Sequence, residues 1–293
     1  MKILDGKKIA EEIKLELKAE ILEMGKNGMT PGLAVVLVGS DPASRIYVAN
    51  KKRNCEEVGI KSASYELAEN ISQSKLMELI SRLNDDENIH GILVQLPLPK
   101  HIETQKIIEA IDPRKDVDCF HPENAGRLLI GQSARNASRG DADGPRFLPC
   151  TPGGILELLK RSNIEVAGKD CVIVGRSNIV GKPLAALLIN AGATVTVCHS
   201  RTRNLKEKTL RAEILIVATG KAGLISADMV QPGSAVIDVG INRMADGKLV
   251  GDVDFENVKN VASAISPVPG GVGPMTIAML LKNTITAARN LSS

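Results

Sequence analysis

The feature that most limits how this chain can fold is an alternation along most of its length: unbroken apolar runs of strand length, separated by segments whose apolar residues recur at helical spacing. A strand that is apolar at every position has no face to give to water, so both its faces must be covered; strands joined through helices run parallel. LAVVLV (33–38) and GILVQ (91–95) are such runs in the first half, with a shorter strand expected over 63–67. The first helix follows Gly6, sets Ile9, Ile13, Leu17 and Ile21 four apart among Lys and Glu, and ends near 25–28. The second is expected to be capped by Ser40 or Asp41, to hold Pro42 in its first turn and to run to about Val58; a third covers 72–83. The pattern predicts an α/β fold of mostly parallel sheets covered by helices.

The alternation breaks between Ile130 and Pro149, where GQSARNASRGDADGPRFL is poor in apolar residues and reads as a loop. It restarts with a helix over 153–161, strands over 171–175, 194–198, 213–219 and 234–240, and a helix from Gly181. The expected organisation is two α/β domains. The first covers 1–148 and is completed by a last helical segment within 275–293; the second, with a doubly wound sheet, covers 149–274.

Composition removes several kinds of function. Lys and Arg exceed Asp and Glu by 37 − 34 = 3, so no net field holds a polyanion, and two Tyr, three Phe and no Trp leave little to stack on bases. No nucleic-acid partner is expected. The five cysteines are odd in number, far apart and never in a C-x-x-C pair, which argues against a disulfide framework and a zinc site and for a reducing compartment. His121 and His199 have no partner at ligand spacing, so no metal is assigned. The apolar runs fall short of the roughly 20 residues that cross a bilayer. The expectation is no membrane partner and a cytoplasmic location; a mature organellar form would read the same.

Three places can carry chemistry. In CVIVGRSNIVGKPLAALL a buried strand runs through Gly175 and Gly181 into a helix, a spacing that serves a phosphate cradle or a plain strand–turn–helix connection equally well. The end of the next strand reads Cys198-His199-Ser200-Arg201-Thr202. It lacks the acid that bonds ribose hydroxyls in NAD sites, while Ser200, Arg201 and Arg176 suit the extra phosphate of NADP. Tyr47 and Lys51 share one face of the second helix, although a basic run such as Lys51-Lys52-Arg53 is ordinarily solvated surface. Gln95 ends a buried strand, where ligands gather in open parallel sheets. Asp116 and Asp118 in PRKDVDCF are expected to alternate across an extended segment, one capping the next helix and the other reading a ligand. SPVPGGVGPMT (266–276) should bring backbone close to a ligand or the other domain, which makes Pro267 and Gly271 candidates for substrate contact.

Taken in order, SRIYVANKKRNCEEVGI, GILVQLPLP, PRKDVDCFHPENAGRL, LPCTPGG, GRSNIVGKP, VCHSRT, VIDVGINR, GDVDF and SPVPGGVGPMT resemble the bifunctional methylenetetrahydrofolate dehydrogenase and methenyltetrahydrofolate cyclohydrolase family across nearly the whole chain. The resemblance implies a first domain for folate chemistry, a Rossmann-type domain for NADP, an active site in the interdomain cleft, and a homodimer. It implies that Lys51 is the central catalytic residue, with Tyr47 and Gln95 beside it and Asp118 anchoring the pterin. Gly175, Arg176, Ser177, Ser200 and Ile241 match the family's cofactor contacts, and Arg201 is added by the charge argument above. The resemblance also implies tetrahydrofolate derivatives as substrates, with or without a polyglutamate tail.

An ionised Asp118 can accept both N–H donors on one edge of a 2-amino-pyrimidinone ring. Hydride loss from the methylene bridge needs alignment more than a base, whereas hydrolysis of the resulting cation needs a proton acceptor, the part expected of Lys51 with Gln95 orienting it. Competing readings are another two-domain NADP dehydrogenase of shikimate or amino-acid type, a dehydrogenase of the same family without the hydrolase, and a cofactor-binding regulatory protein. One departure stands out: Cys119 occupies the place of the family's usual Gly and is expected to add volume beside the pterin anchor.

Overall fold

The computed structural model describes residues 1–131 and 147–292. In chain order its elements are β1 (Lys2–Ile3), α1 (Gly6–Lys26), β2 (Gly32–Val38), α2 (Pro42–Val58), β3 (Lys61–Leu67), α3 (Gln73–Asp85), β4 (Gly91–Val94), α4 (Thr104–Ala110), α5 (Pro122–Leu129), α6 (Cys150–Arg161), β5 (Asp170–Val174), α7 (Gly181–Asn190), β6 (Thr194–Cys198), α8 (Leu205–Thr209), β7 (Ile214–Val217), β8 (Ala235–Asp238), β9 (Asn242–Arg243), β10 (Leu249–Val250), α9 (Phe255–Val258), β11 (Ala264–Ile265) and α10 (Val272–Leu291). The loop expected between Ile130 and Pro149 falls largely on 132–146, outside the described residues. The chain forms two compact units.

One unit holds Glu12–Arg127, the chain leading into Cys150, and the residues from Ile277 onward. Its sheet is parallel, in the order β3-β2-β4, and all seven residues of central β2 are buried. Ala34, Val36 and Val38 on β2 and Ile92 and Val94 on β4 pack against Leu76, Leu79, Ile80 and Leu83 of α3. Asp41 is the cap of α2: its carboxylate accepts from the Ser44 amide at 2.8 Å and the Ser44 hydroxyl at 2.7 Å, with Pro42 in the first turn. The helix therefore starts immediately beyond the carboxyl end of β2.

The segment after α4 differs from the extended chain expected. Backbone bonds from Lys115 to Asp112 (2.7 Å) and from Cys119 to Asp116 (3.0 Å) fold it into successive turns, leaving one bridge between Asp116 and Ile92. The cause is Asp116, whose buried carboxylate accepts from the Phe120 and His121 amides and from Asn124 Nδ2 at 2.8 Å. Those bonds draw the chain round into α5 and leave Asp118 outside that set of bonds, so Asp116 holds the start of the helix as expected while the extended geometry does not form.

The second unit contains Met1–Glu11 and Thr151–Thr276, with a short stretch from Leu128. Its six-stranded sheet runs β1-β11-β8-β7-β5-β6 with every pairing parallel, and β9 and β10 form a separate antiparallel ribbon. The chain passes from β5 outward to β6 and returns to β7 on the other side of β5. Ligands collect outside the carboxyl ends of strands at such a reversal. The first eleven residues, expected with the first domain, cluster here: Lys2 N donates to Ser263 O at 2.7 Å and Leu4 N to Ile265 O at 2.8 Å. A two-residue strand whose partner lies at the far end of the chain leaves no local pattern to read.

Gly6 seals this pairing, because a Cβ there would stand 1.9 Å from Gly271 O, a backbone atom with nowhere to go. Gly6→Ala should destabilise the protein by about 1–3 kcal/mol through overpacking. Gly25→Ala, in the same helix with nothing within 4 Å, should instead stabilise it by about 0.5–1 kcal/mol. Denaturant midpoints of the two variants check the contrast.

Candidate active site

Two elements of the first unit bring the first polar group together. Tyr47 and Lys51 lie one turn apart on α2, and Gln95 directly follows β4. The Gln95 amide donates to Val36 O at 2.8 Å, which continues the β2–β4 ladder one residue beyond the strand and fixes the backbone there. Its side-chain Nε2 donates to Leu96 O at 2.8 Å, so Oε1 is the end left to face α2, and Lys51 Nζ donates to it at 3.0 Å. Lys51 and Gln95 are half-buried; Tyr47 is 40% exposed.

Asp118 joins this group electrostatically. Burial raises its carboxyl above the usual carboxylate range, while the Lys51 ammonium and a hydrogen bond with the Cys150 thiol pull it back down. Cys150, the first residue of α6, also donates to Val117 O at 3.3 Å. Burial, and next the charge of Asp118, push its thiol well above the usual range, so it serves as a proton donor in hydrogen bonds and not as a thiolate nucleophile.

Asn283 of α10 donates through Nδ2 to Val117 O and to Leu148 O, both at 2.8 Å, tying together the two chain segments that carry Asp118 and Cys150. Sequence reasoning missed both residues. The signal for Asn283 was a lone carboxamide among the buried Leu280, Leu281 and Ile285; Cys150 lay within LPCTPGG with no partner apparent along the chain.

Cys119 has φ 61°, the left-handed region that favours glycine, and its buried thiol donates to Phe147 O at 3.4 Å. A backbone in this region is one that glycine adopts more readily than cysteine.

In the second unit the candidate cofactor residues gather on one edge. Gly175, Arg176 and Ser177 follow β5, Ser200 and Arg201 follow β6, and Ile241 follows β8, and these strands belong to one parallel sheet. Gly175 has φ 134°, and a Cβ on it would stand 2.2 Å from Ala218 O; a Cβ on Gly181 would stand 2.2 Å from Gly175 O. The Ser177 hydroxyl accepts from the amides of Val180 (3.1 Å) and Gly181 (3.4 Å) at the entry to α7, while Arg176, Ser200 and Arg201 are exposed. Exposed guanidinium and hydroxyl groups beside a glycine cradle, with His199, Ser200 and Arg201 and no acid following β6, fit a phosphorylated dinucleotide. Pro267 is half-buried, and Gly271 is buried against Gly6, so the close approach expected of this segment is, within its unit, to the chain's own backbone.

Both halves match family models: tetrahydrofolate dehydrogenase/cyclohydrolase, catalytic domain, over residues 4–118, and the NAD(P)-binding domain of the same family over 149–292. The chain belongs to the tetrahydrofolate dehydrogenase/cyclohydrolase family. A relative in Acetivibrio thermocellus named bifunctional protein FolD is 58% identical over 288 residues, 98% of this chain and 97% of that one. The crystal structure of the bifunctional FolD enzyme from Campylobacter jejuni is 53% identical, with a TM-score of 0.94 and 99% of each chain covered. That of the Trypanosoma brucei enzyme, complexed with NADP cofactor and inhibitor, is 39% identical with a TM-score of 0.91, covering 98% of this chain and 97% of that one. The two α/β domains are thus a catalytic and an NAD(P)-binding domain of this family, and the shikimate-type and amino-acid-type dehydrogenase readings are set aside. Among the described residues no helix is long and apolar enough to cross a membrane.

Cys119→Gly exchanges a left-handed cysteine for the residue that prefers that conformation, at the loss of one small buried side chain. Backbone relief of about 1–2 kcal/mol and the lost burial oppose each other. The melting temperature should stay near that of the parent, with folate KM within about threefold since the thiol points to Phe147 O. Steady-state kinetics over a folate series check this.

Proposed function

We propose that this chain catalyses two successive reactions on one-carbon folates: NADP-dependent oxidation of 5,10-methylenetetrahydrofolate to the 5,10-methenyl cation, and hydrolysis of that cation to 10-formyltetrahydrofolate. The observation that carries the reading is the amine of Lys51 held by Gln95 beside a half-buried carboxyl, Asp118. Family membership on both halves and the bifunctional relatives at 53–58% identity support it.

Each residue has a distinct task. Asp118, ionised, accepts two N–H donors from the edge of the pyrimidinone ring and sets its rotation. Asn283 and Cys150 hold the backbone and carboxyl on which that anchor depends. NADP, when bound, accepts the hydride; Gly175, Arg176, Ser177, Ser200, Arg201 and Ile241 are the residues we assign to holding it. Oxidation leaves a cation stabilised by the two flanking nitrogens, so the protein's share of that step is alignment, worth about 7–11 kcal/mol in favourable cases.

In the second reaction a water oxygen bonds to the cationic carbon and Lys51, as the neutral amine, takes one of its protons; the remaining hydroxyl proton then passes to the nitrogen that keeps the electron pair as its bond to that carbon breaks, leaving the formyl group on the other nitrogen. Gln95 keeps the amine aimed. Tyr47, one turn before Lys51, packs on the folate or bonds to it. Pro267 and Gly271 are assigned to substrate contact on the rigidity of their proline- and glycine-rich segment. We take the enzyme to be a cytoplasmic homodimer that accepts folates with or without a polyglutamate tail.

The test uses the purified chain with methylene- and methenyltetrahydrofolate, NADP and NAD. The parent should form and then consume the methenyl chromophore with NADP. Lys51→Met should fold normally and lose about 10²–10⁴-fold in methenyl hydrolysis, the range of general base catalysis. Retained hydrolysis would favour a different base, and NADP reduction without hydrolysis in the parent would mark a dehydrogenase alone.

A further inference from the structure

Two buried carboxylates in the second unit have no part in the chemistry above, and together they govern the loops beyond β7 and β8. These strands are neighbours, Val217 pairing with Asp238, so the turns Ala218-Thr219-Gly220 and Val239-Gly240-Ile241 leave the same edge of the sheet side by side. Asp252 is fully buried. Its Oδ2 accepts from the Thr219 amide, from the Thr219 hydroxyl at 2.9 Å and from the Gly220 amide at 2.9 Å, and its Oδ1 accepts from Asn242 Nδ2 at 2.9 Å. Asp238 is 3% exposed and accepts from the amides of Gly240 (3.0 Å), Asp252 (2.9 Å) and Val253 (2.9 Å).

The two carboxylates are interlocked by glycines. A Cβ on Gly240 would stand 2.2 Å from Asp252 Oδ1, and one on Gly251 would stand 1.8 Å from Asp238 Oδ2. Neither glycine has a positive φ. What each position requires is therefore room for the other segment's carboxylate, and not an unusual backbone. This accounts for the reciprocal spacing of DVG at 238–240 and GD at 251–252.

Burying two carboxylates is costly unless every lone pair finds a donor. Here the donors are backbone amides, a hydroxyl and a carboxamide, drawn from the turns beyond β7 and β8, from β9 and from the chain after β10. Ile241, 45% exposed, sits between Gly240, whose amide Asp238 holds, and Asn242, whose side chain Asp252 holds. On the other side Ala218 O abuts Gly175 of the glycine cradle. Asp252 thus spans the turn that backs the cradle and the turn that presents Ile241.

We propose that Asp252 and Asp238 form a positioning pair that sets the dinucleotide-facing loops of this unit at their working spacing. The inference rests on the reading that this unit binds NADP. It concerns residues that hold the loops and leaves contact with the cofactor to others.

The test compares Asp252→Asn and Asn242→Ala with the parent by calorimetric titration of NADP, methenyl hydrolysis without nucleotide, and hydrogen exchange of the unliganded protein. An amide at 252 sets its N–H donors against donors on one side. NADP Kd should rise about tenfold or more, on the scale of one lost hydrogen bond, exchange at Thr219 and Gly220 should quicken, and hydrolysis should stay within about twofold. Asn242→Ala removes one bond at the rim and should raise Kd about threefold to tenfold while folding as the parent does. Parental NADP Kd in a folded Asp252→Asn overturns the proposal. Should that variant fail to fold, parental Kd in Asn242→Ala overturns it. A parent that binds no NADP would instead refute the cofactor reading beneath it.

Discussion

A parallel sheet delivers the carboxyl end of every strand to one edge, and both units of this chain put their polar side chains on that edge. Covering helices leave nowhere else in such a sheet for a ligand to meet backbone turns and side chains from several strands at once. In the first unit the edge carries Gln95, and α2 starts beyond β2 and passes Lys51 back to it. In the second it carries the glycine cradle, the Ser-Arg turn after β6 and the two turns after β7 and β8. Separate parts of the enzyme thus follow from one architectural constraint applied twice.

The two reactions place different demands on these edges. Oxidation asks for placement, and the structure holds rigid supports of the kind that step needs: a ladder bond at Gln95, a carboxamide from α10 bonded to the chain beside Asp118, and a buried carboxylate bonded to a loop. Hydrolysis asks for a proton acceptor in a chosen position. A lysine on a long flexible stem is a poor choice unless something fixes its tip, and the Gln95 carboxamide, itself oriented by Leu96 O, does so. Burial raises the Asp118 carboxyl, and the charge of Lys51 opposes that rise.

Much of this was legible in the amino-acid sequence, for physical reasons that differ by element. β2 and β5 were visible because continuous burial demands continuous apolarity, and α2 because Asp41 and Pro42 are local start signals. Lys51, Gln95 and Asp118 could be named, but only coordinates show the amine and carboxamide in contact. What stayed hidden depends on distant partners. β1 exists through pairing with β11, the turns around Asp116 exist through bonds to the start of α5, and the aspartates at 238 and 252 make sense only once their loops lie side by side. Cys119 was visible as an oddity, while its left-handed backbone was not.

On the reading proposed above, Gln95 acts on hydrolysis through Lys51, and a double-mutant cycle measures that coupling. Methenyl hydrolysis would be followed in the parent, Lys51→Met, Gln95→Ala and the double variant. Gln95→Ala should slow the parent by about tenfold or more, the effect of a misaimed base, and have almost no further effect once Lys51 is gone. Effects that simply multiply, with Gln95→Ala just as costly in the absence of the lysine, would contradict it.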